Sequence, residues 1–231
     1  MLMTMTPARR DGTEILDGDG LDPRLVRRSM SDVARANALF GGASALLAEL
    51  DPALEAIPPR ATLLDIGTGM GDIPARARMR AMAHDVSLTT VGVDIAIELA
   101  AASAENVDAA VCADALNLPF ADSSVDIVTC SQVLHHFPGA GGATLLREMN
   151  RVARARVVVS DLRRSWTAAA GLWVASFPLM FHPISRHDGV VSVLRGFTSE
   201  ELRGLVRDSV GADVRVTRRA AFRVTTSWVP V

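Results

Sequence analysis

The chain has 231 residues, of which 49% are hydrophobic, so it can bury the core of one α/β domain with appendages. Its 24 basic and 26 acidic residues leave a net charge of −2, which gives no general attraction for nucleic acid. All 24 basic residues are Arg and there is no Tyr. These absences exclude Schiff-base chemistry on Lys, a P-loop lysine and the Tyr/Lys proton-donor pair of many oxidoreductases.

The first quarter of the chain predicts a leading segment and a helical cap. Residues 1–21 are rich in Gly, Asp and Thr, which predicts a mobile segment. Apolar residues recur every three or four positions in residues 22–57, which predicts a cap of two short helices broken near Gly41. Residues 58–231 then form the main domain. No apolar run is long enough to span a bilayer, no signal-peptide core is present, and the two cysteines are expected to be free, so we expect a cytoplasmic protein without a membrane partner.

Strand-like and helix-like segments alternate along the main domain. Strands are predicted over residues 62–66, 87–93, 107–112, 125–130 and 156–161, and helices over residues 73–83, 95–104, 142–152 and 199–209. This alternation is typical of a mostly parallel sheet with helices on both faces. Two further strands, over residues 214–217 and 221–229, are too close in sequence for a crossover and predict an antiparallel hairpin. The prediction is therefore a doubly wound α/β fold with a seven-stranded sheet.

A glycine-rich loop follows the first predicted strand. Residues 63–72 read LLDIGTGMGD, where Gly67, Gly69 and Gly71 separate an apolar strand from a predicted helix. Glycine lets backbone N–H groups approach a ligand closely, although the same pattern also forms strand-to-helix turns that bind nothing. Asp65 lies at the end of the strand, where a carboxylate would repel a pyrophosphate and attract an amino or sulfonium group. The loop therefore favours a cationic ligand.

Two more carboxylates follow the second and third predicted strands. Asp94, in VGVDIA, has the geometry to accept both hydroxyls of a ribose, and Asp114, in ADALNLPF, to accept the exocyclic amine of adenine. The alternative for each is a capping or turn residue. Three carboxylates at the ends of three successive strands favour a pocket for a nucleoside.

Residues 63–159 resemble the class I S-adenosylmethionine-dependent methyltransferases, closest to the small-molecule and ubiquinone/menaquinone branch. The motifs DIGTGMGD, VGVDIA, ADALNLPF and FADSSVDIVTCSQVLHHF occur in the order of that family. The resemblance implies a Rossmann-like fold, S-adenosylmethionine as cofactor, and a cap over it formed by the ARANALFGG stretch. The cofactor residues that it implies are Asp65, Gly67, Thr68, Gly69 and Gly71 for the methionine part, Asp94 for the ribose, Ile95, Asp114 and Ala115 for the adenine, and Ser131 near the sulfonium.

The acceptor side is predicted from two histidines and an insertion. His135 and His136 follow the fourth strand and have the right chemistry for a general base; the alternative is that both are structural or contact the cofactor. Residues 162–195 form an insertion that we interpret as a lid over an apolar acceptor pocket, the alternative being a helix packed on the core. The pocket residues predicted from it are Trp166, Trp173, Phe177, Phe181, His187 and Arg195, with a turn as the alternative for His187 and a surface salt bridge for Arg195.

The function predicted from these features is methyl transfer to a small apolar or aromatic acceptor, with a hydroxyl oxygen as the expected target. The carboxylate and amide set of the metal-dependent catechol-type enzymes is missing, so no catalytic metal is expected. A nicotinamide-dependent oxidoreductase and a non-catalytic cofactor-binding scaffold are the rival functions. We expect a small-molecule partner and no nucleic acid, and the sequence leaves a homodimer open.

Overall fold

The computed structural model describes residues 6–10, 12–18 and 20–231. Within these ranges the strands are β1 (Arg60–Ile66), β2 (Ser87–Asp94), β3 (Ala109–Cys112), β4 (Val125–Ser131), β5 (Ala153–Leu162), β6 (Thr217–Arg219) and β7 (Arg223–Trp228). The α-helices are α1 (Pro23–Leu39), α2 (Gly42–Leu54), α3 (Asp72–Met82), α4 (Ile97–Ser103), α5 (Ala140–Val152), α6 (Trp166–Ala175), α7 (Pro183–Arg195) and α8 (Ser199–Val210). Short 3₁₀ helices cover Ile15–Asp17 and Leu134–His136.

The described strands form one seven-stranded sheet in the order β3-β2-β1-β4-β5-β7-β6. Strands β1 to β5 are parallel, and β7 runs antiparallel to both of its neighbours. One apolar cluster packs α5 and α8 on one face of the sheet, and a second packs α2 and α3 on the other. The predicted Rossmann-like, doubly wound fold is confirmed. Since the strand order reverses between β1 and β4, the crevice at their carboxyl ends is the expected ligand position.

The C-terminal hairpin begins later than the sequence predicts. Residues 214–216 are not part of a strand, and β6 instead includes Arg218 and Arg219, which the sequence placed in the connecting link. Pairing with β7 begins at Thr217, opposite Thr225, and this pairing decides where the strand starts. The third strand is also shorter than predicted, because the Asp108 carboxylate accepts the N–H and hydroxyl of Thr90 just before it begins.

The cap and the insertion are helical. Helices α1, α6 and α7 lie over the carboxyl edge of the sheet, whereas α2 packs on one of its faces. Helices α1 and α2 are separated at Gly41, which has φ +70°, at the break that the sequence predicts. The insertion consists of α6 and α7, which pack on each other. The leading segment was predicted to be mobile, but its described residues lie against the insertion: Arg10 N–H donates to Leu194 O at 3.2 Å, and Arg164 Nε donates to Pro7 O at 2.7 Å.

Over the described part of the chain, no helix combines the length and the apolar character needed to cross a membrane.

Both cysteines are free thiols; Cys130 is buried in β4 and Cys112 is exposed at the end of β3.

Candidate active site

The glycine loop runs from the end of β1 to the start of α3. Gly67 has φ +63°, and a Cβ there would collide with the Val133 side chain, so this position requires glycine on two grounds. Gly69 has φ +55°, and a Cβ there would make an ordinary contact with Met30 Sδ at 4.0 Å. The Thr68 N–H donates to Val93 O at 3.0 Å and ties the loop to β2. Gly71 was predicted to contact the cofactor, but it lies behind the loop, where its N–H donates to Thr68 O at 2.9 Å.

Three carboxylates line the cavity around this loop. Asp65 is buried and accepts the Thr129 hydroxyl at 2.6 Å, and burial raises its pKa to about 7. Asp94 accepts the Gly69 and Ala96 N–H groups at 3.0 Å each, and burial raises its pKa as well. Asp72, the second Asp of DIGTGMGD, was not predicted; its Oδ2 is buried without a hydrogen-bond partner, and burial raises its pKa. Burial disfavours the charged form of all three carboxyl groups. A cationic ligand bound beside them would stabilise that charged form.

The remaining predicted nucleoside residues also line the cavity. Ile95 is 72% exposed, and its side chain offers an apolar surface beside Asp94. Asp114 is exposed and accepts the Leu116 N–H at 2.8 Å, which is the turn role left open as its alternative. Ala115 follows it in the wall of the cavity, and Ser131 Oγ at the end of β4 is buried without a partner.

The cavity has a volume of about 1080 Å³ and extends from the glycine loop to the cap and the insertion. Sites for a single small ligand usually occupy roughly 300–1,000 Å³. The cavity therefore has room for a nucleoside-sized ligand and a second molecule beside it.

His135 is buried in the wall of this cavity, within a charged hydrogen-bond network. Its Nδ1 lies 2.7 Å from Asp161 Oδ1, and its Nε2 lies 3.7 Å from Glu14 Oε1. Burial alone would lower the pKa of His135, but the charge and hydrogen bond of Asp161, together with Glu14, outweigh it and raise that pKa to about 9. His135 is therefore a cation at neutral pH and cannot accept a proton there.

His136 is half-buried and faces two acidic residues of the leading segment. Its Nδ1 lies 3.0 Å from Asp17 Oδ1, and its Nε2 lies 3.8 Å from Glu14 Oε2. Burial would raise the pKa of Asp17, but hydrogen bonds from His136 and Arg195 lower it to about 2. A carboxylate that holds one ring nitrogen leaves the other nitrogen oriented for a partner, the arrangement used by general bases.

The leading segment carries Glu14 and Asp17 into the site through contacts with α7. Asp188 accepts the N–H groups of Ile15 and Leu16 at 2.9 Å each. Arg195, which is buried, donates to Asp17 at 2.9 Å and to the His136 carbonyl at 3.1 Å. Sequence reasoning missed Glu14 and Asp17, because nothing local connects them with a histidine pair about 120 positions later. Arg195 was predicted to bind the acceptor, and instead it forms an ion pair with Asp17 outside the lining of this cavity.

The insertion places few of its large side chains in the cavity. Phe181 is buried and lines it. Trp166, Trp173 and Phe177 are 44%, 51% and 48% exposed and lie outside the lining, as does the exposed His187. Their predicted pocket role is therefore corrected. Helix α6 turns its smaller residues toward the cavity, and only tertiary packing decides which face of an apolar helix does so.

Three residues that could ligate a metal meet in this cluster. One atom each of Glu14, His135 and His136 lies within 4.8 Å of the others. The Glu14 carboxylate is already engaged, by the Ser192 hydroxyl at 2.7 Å and by Arg195 at 3.4 Å. Because the cationic His135 and Arg195 already balance most of the acidic charge, the cluster offers a poor site for a further cation. The absence of a catalytic metal stays a prediction.

Part of the chain matches a known domain family. Residues 64–159 match the family model described as a methyltransferase domain. The chain is 37% identical over 114 residues to a demethylmenaquinone methyltransferase of Roseiflexus sp. (strain RS-1). That match covers 48% of this chain and 45% of the relative, so it spans less than half of that protein's length.

Solved structures of low sequence identity share the fold. One is a SAM-dependent methyltransferase from Aquifex aeolicus, with a TM-score of 0.60, 16% identity, and coverage of 92% of this chain and 100% of that one. Another is human N-acetylserotonin methyltransferase in complex with SAM, with a TM-score of 0.63, 12% identity, and coverage of 90% of this chain and 56% of that one.

Proposed function

We propose that the chain is a class I S-adenosylmethionine-dependent methyltransferase and that it methylates the hydroxyl oxygen of a small, largely apolar or aromatic acceptor. One observation carries the proposal: a single cavity has the carboxylate-lined glycine loop at one side and His136 with its acidic partners at the other. The curated relative is named for a quinone precursor, which supports an acceptor of this chemistry.

The residues of the loop side fit S-adenosylmethionine. The cofactor supplies a methyl group on a positively charged sulfur. Asp65 and Asp72, whose pKa values burial raises, are placed to be stabilised by the cationic methionine part. Asp94 would hold the ribose, while the orphaned Ser131 hydroxyl faces the part of the cavity between the two sides. Gly67, Thr68 and Gly69 form the backbone cradle, and Ile95, Asp114 and Ala115 the adenine pocket.

His136 is the residue we assign as the general base. Methyl transfer is an in-line displacement, so the protein supplies proximity, alignment and exclusion of water, and an acceptor hydroxyl must also lose its proton. His135, with its pKa raised to about 9, is already protonated at neutral pH and is therefore a positioning residue. His136, oriented by Asp17 and bordered by Glu14, takes the proton from the hydroxyl.

The direct test is a binding and turnover experiment on the full chain. Titration with S-adenosylhomocysteine and with NADH separates the methyltransferase from the rival oxidoreductase, because only the former should bind the sulfur nucleoside. A panel of phenols and quinols is then screened for formation of S-adenosylhomocysteine, and the product is examined by NMR for an O-methyl group. Binding of NADH alone would refute the proposal, and binding of S-adenosylhomocysteine without turnover on any acceptor would favour the non-catalytic scaffold.

Replacing His136 separates chemistry from cofactor binding. His136→Ala should lower kcat by roughly 100-fold or more, the usual contribution of a general base, and leave the affinity for S-adenosylhomocysteine unchanged. His84→Ala, which alters a histidine that lies beside Asp51 and outside the cavity lining, is the matched control and should keep full turnover. An active His136→Ala enzyme would show that the proton leaves by another route.

A further inference from the structure

Arg223 is a buried cation in the cavity wall, and it forms no ion pair with any residue that the structure describes. It begins β7, lines the cavity, and is 7% exposed. Among the described residues, no carboxylate lies within 4.0 Å of its guanidinium; the side chain donates only to Ala221 O and Gln132 Oε1, each at 3.2 Å. Its Nε is buried without a partner, and burial lowers its pKa to about 10, although the charge of nearby Asp161 opposes this shift. An unpaired buried charge is costly, so such a residue is usually kept for a ligand of opposite charge.

The neighbours of Arg223 fix its direction and leave most of its donors free. The Gln132 side-chain amide donates to Asn37 of α1, so its oxygen is left to accept from Arg223. A guanidinium has five N–H donors, and only two are used here. The hairpin tip before Arg223 is tied to β5, because the Arg163 N–H donates to Phe222 O at 2.8 Å. The free donors therefore form a rigid fork, the geometry that binds a carboxylate through two hydrogen bonds.

The place of Arg223 in the sheet puts it on the acceptor side. It stands at the carboxyl edge, opposite Leu162 of β5, and β7 is three strands away from β1. Neighbouring strands are about 4.8 Å apart, so Arg223 lies roughly 14 Å from the strand that leads into the glycine loop. That distance separates it from the nucleoside pocket and brings it near the histidine side of the cavity.

We propose that Arg223 binds a carboxylate of the acceptor, so that the enzyme selects acidic aromatic or apolar molecules. This inference rests on the proposed function, because it assigns the part of the cavity beyond the cofactor. The other carboxylate that could reach a guanidinium is that of the cofactor's methionine part, and the experiment distinguishes the two.

The test measures binding of paired probes to the full chain saturated with S-adenosylhomocysteine. 4-Hydroxybenzoate and salicylate should bind at least about tenfold more tightly than 4-hydroxybenzamide and phenol, since each pair differs in the charged group. Arg223→Gln should remove this preference and leave the affinity for the neutral probes unchanged. Arg223→Lys should keep part of it, and the matched control Arg215→Gln, an exposed arginine just before β6, should keep all of it.

Two further readouts exclude a structural explanation and the cofactor alternative. Without ligands, Arg223→Gln should have an equal or higher Tm, because the substitution removes an unpaired buried charge, whereas a purely structural arginine would lower it. The affinity for S-adenosylhomocysteine should not change in Arg223→Gln. Methylthioadenosine lacks the amino acid part and serves as the comparison. If Arg223→Gln lost affinity for S-adenosylhomocysteine but not for methylthioadenosine, Arg223 would be assigned to the cofactor and the proposal would be overturned. Equal binding of acidic and neutral probes by the wild type would also overturn it. If S-adenosylhomocysteine itself failed to bind, the proposed function would fail first.

Discussion

At the scale of single residues, the same side chain often serves the fold and the ligand. Asp94 holds the Gly69 and Ala96 N–H groups in place with one oxygen each, and it still lies in the cavity wall. Capping and ligand binding, which the sequence presents as alternatives, are compatible, because each carboxylate oxygen has a second lone pair.

Asp94→Ala should weaken binding of S-adenosylhomocysteine by about 10- to 100-fold, since it removes hydrogen bonds from a charged group and frees the loop at Gly69. Isothermal titration calorimetry measures the change. Asp108→Ala is the control, because Asp108 also binds backbone and hydroxyl groups of a strand but lies outside the cavity. Equal losses in both variants would mean that the effect is structural.

His135 should make stability depend on pH above neutrality. Its pKa in the folded protein, about 9, lies above the ordinary histidine pKa of 6.5, so its stabilising contribution is complete below pH 6.5 and is lost as the pH rises through 9. Between pH 7.5 and 9 the free energy of unfolding should fall with a slope of up to about 1.4 kcal/mol per pH unit. Urea unfolding at several pH values measures the slope, and His135→Gln should flatten it. A slope that persisted in this variant would assign the titration to another group.

At the scale of elements, the site depends on a short segment that is held by a helix distant in sequence. The 3₁₀ turn Ile15–Asp17 has no buried side chains of its own and is fixed by the Asp188 carboxylate of α7. Because Glu14 and Asp17 face the histidines only while this turn stays docked, α7 controls the geometry of the proposed base.

Asp188→Ala should therefore reduce kcat by about 100-fold, the loss expected when catalytic groups shift by about 1 Å, and spare the cofactor affinity. Steady-state kinetics together with calorimetry would separate the two effects. Asp208→Ala, which alters an exposed ion pair on α8, should change neither kcat nor the cofactor affinity. Unchanged turnover in Asp188→Ala would show that the docked turn does not contribute to catalysis.

At the scale of the whole molecule, the cavity is closed by two parts of the chain, one before β1 and one between β5 and β6. The leading segment, α1, α6 and α7 all contribute lining residues around the carboxyl edge of the parallel strands. Such a cover must open for ligands to enter, and it is stabilised when a ligand occupies the cavity.

Hydrogen exchange should report this closure. Binding of S-adenosylhomocysteine should slow amide exchange in α1 and in the insertion, residues 162–195, as well as in the glycine loop. Helix α8, which packs on the outer side of the sheet and does not line the cavity, serves as the internal reference and should exchange at the same rate with and without the ligand. Protection confined to the loop would contradict a closing role for the cap and the insertion.

The sequence alone predicted the features that depend on local patterns. Apolar runs predict the buried parallel strands. Because the carboxyl ends of parallel strands meet at one edge of the sheet, the ends of these runs also predict that Asp65, Gly67 and Asp94 lie at that edge. The break between α1 and α2 at Gly41 has an equally local cause.

Only the tertiary structure decided which distant groups meet. Glu14 and Asp17 join His136, and Arg195 pairs with Asp17 instead of facing a ligand. Arg223 lines the cavity without an ion pair to any of the described residues. Helix α6 is apolar on most sides, so its sequence did not reveal that Trp173 would lie outside. Contacts between distant segments depend on how the elements pack, and neither residue spacing nor hydrophobic period contains that information.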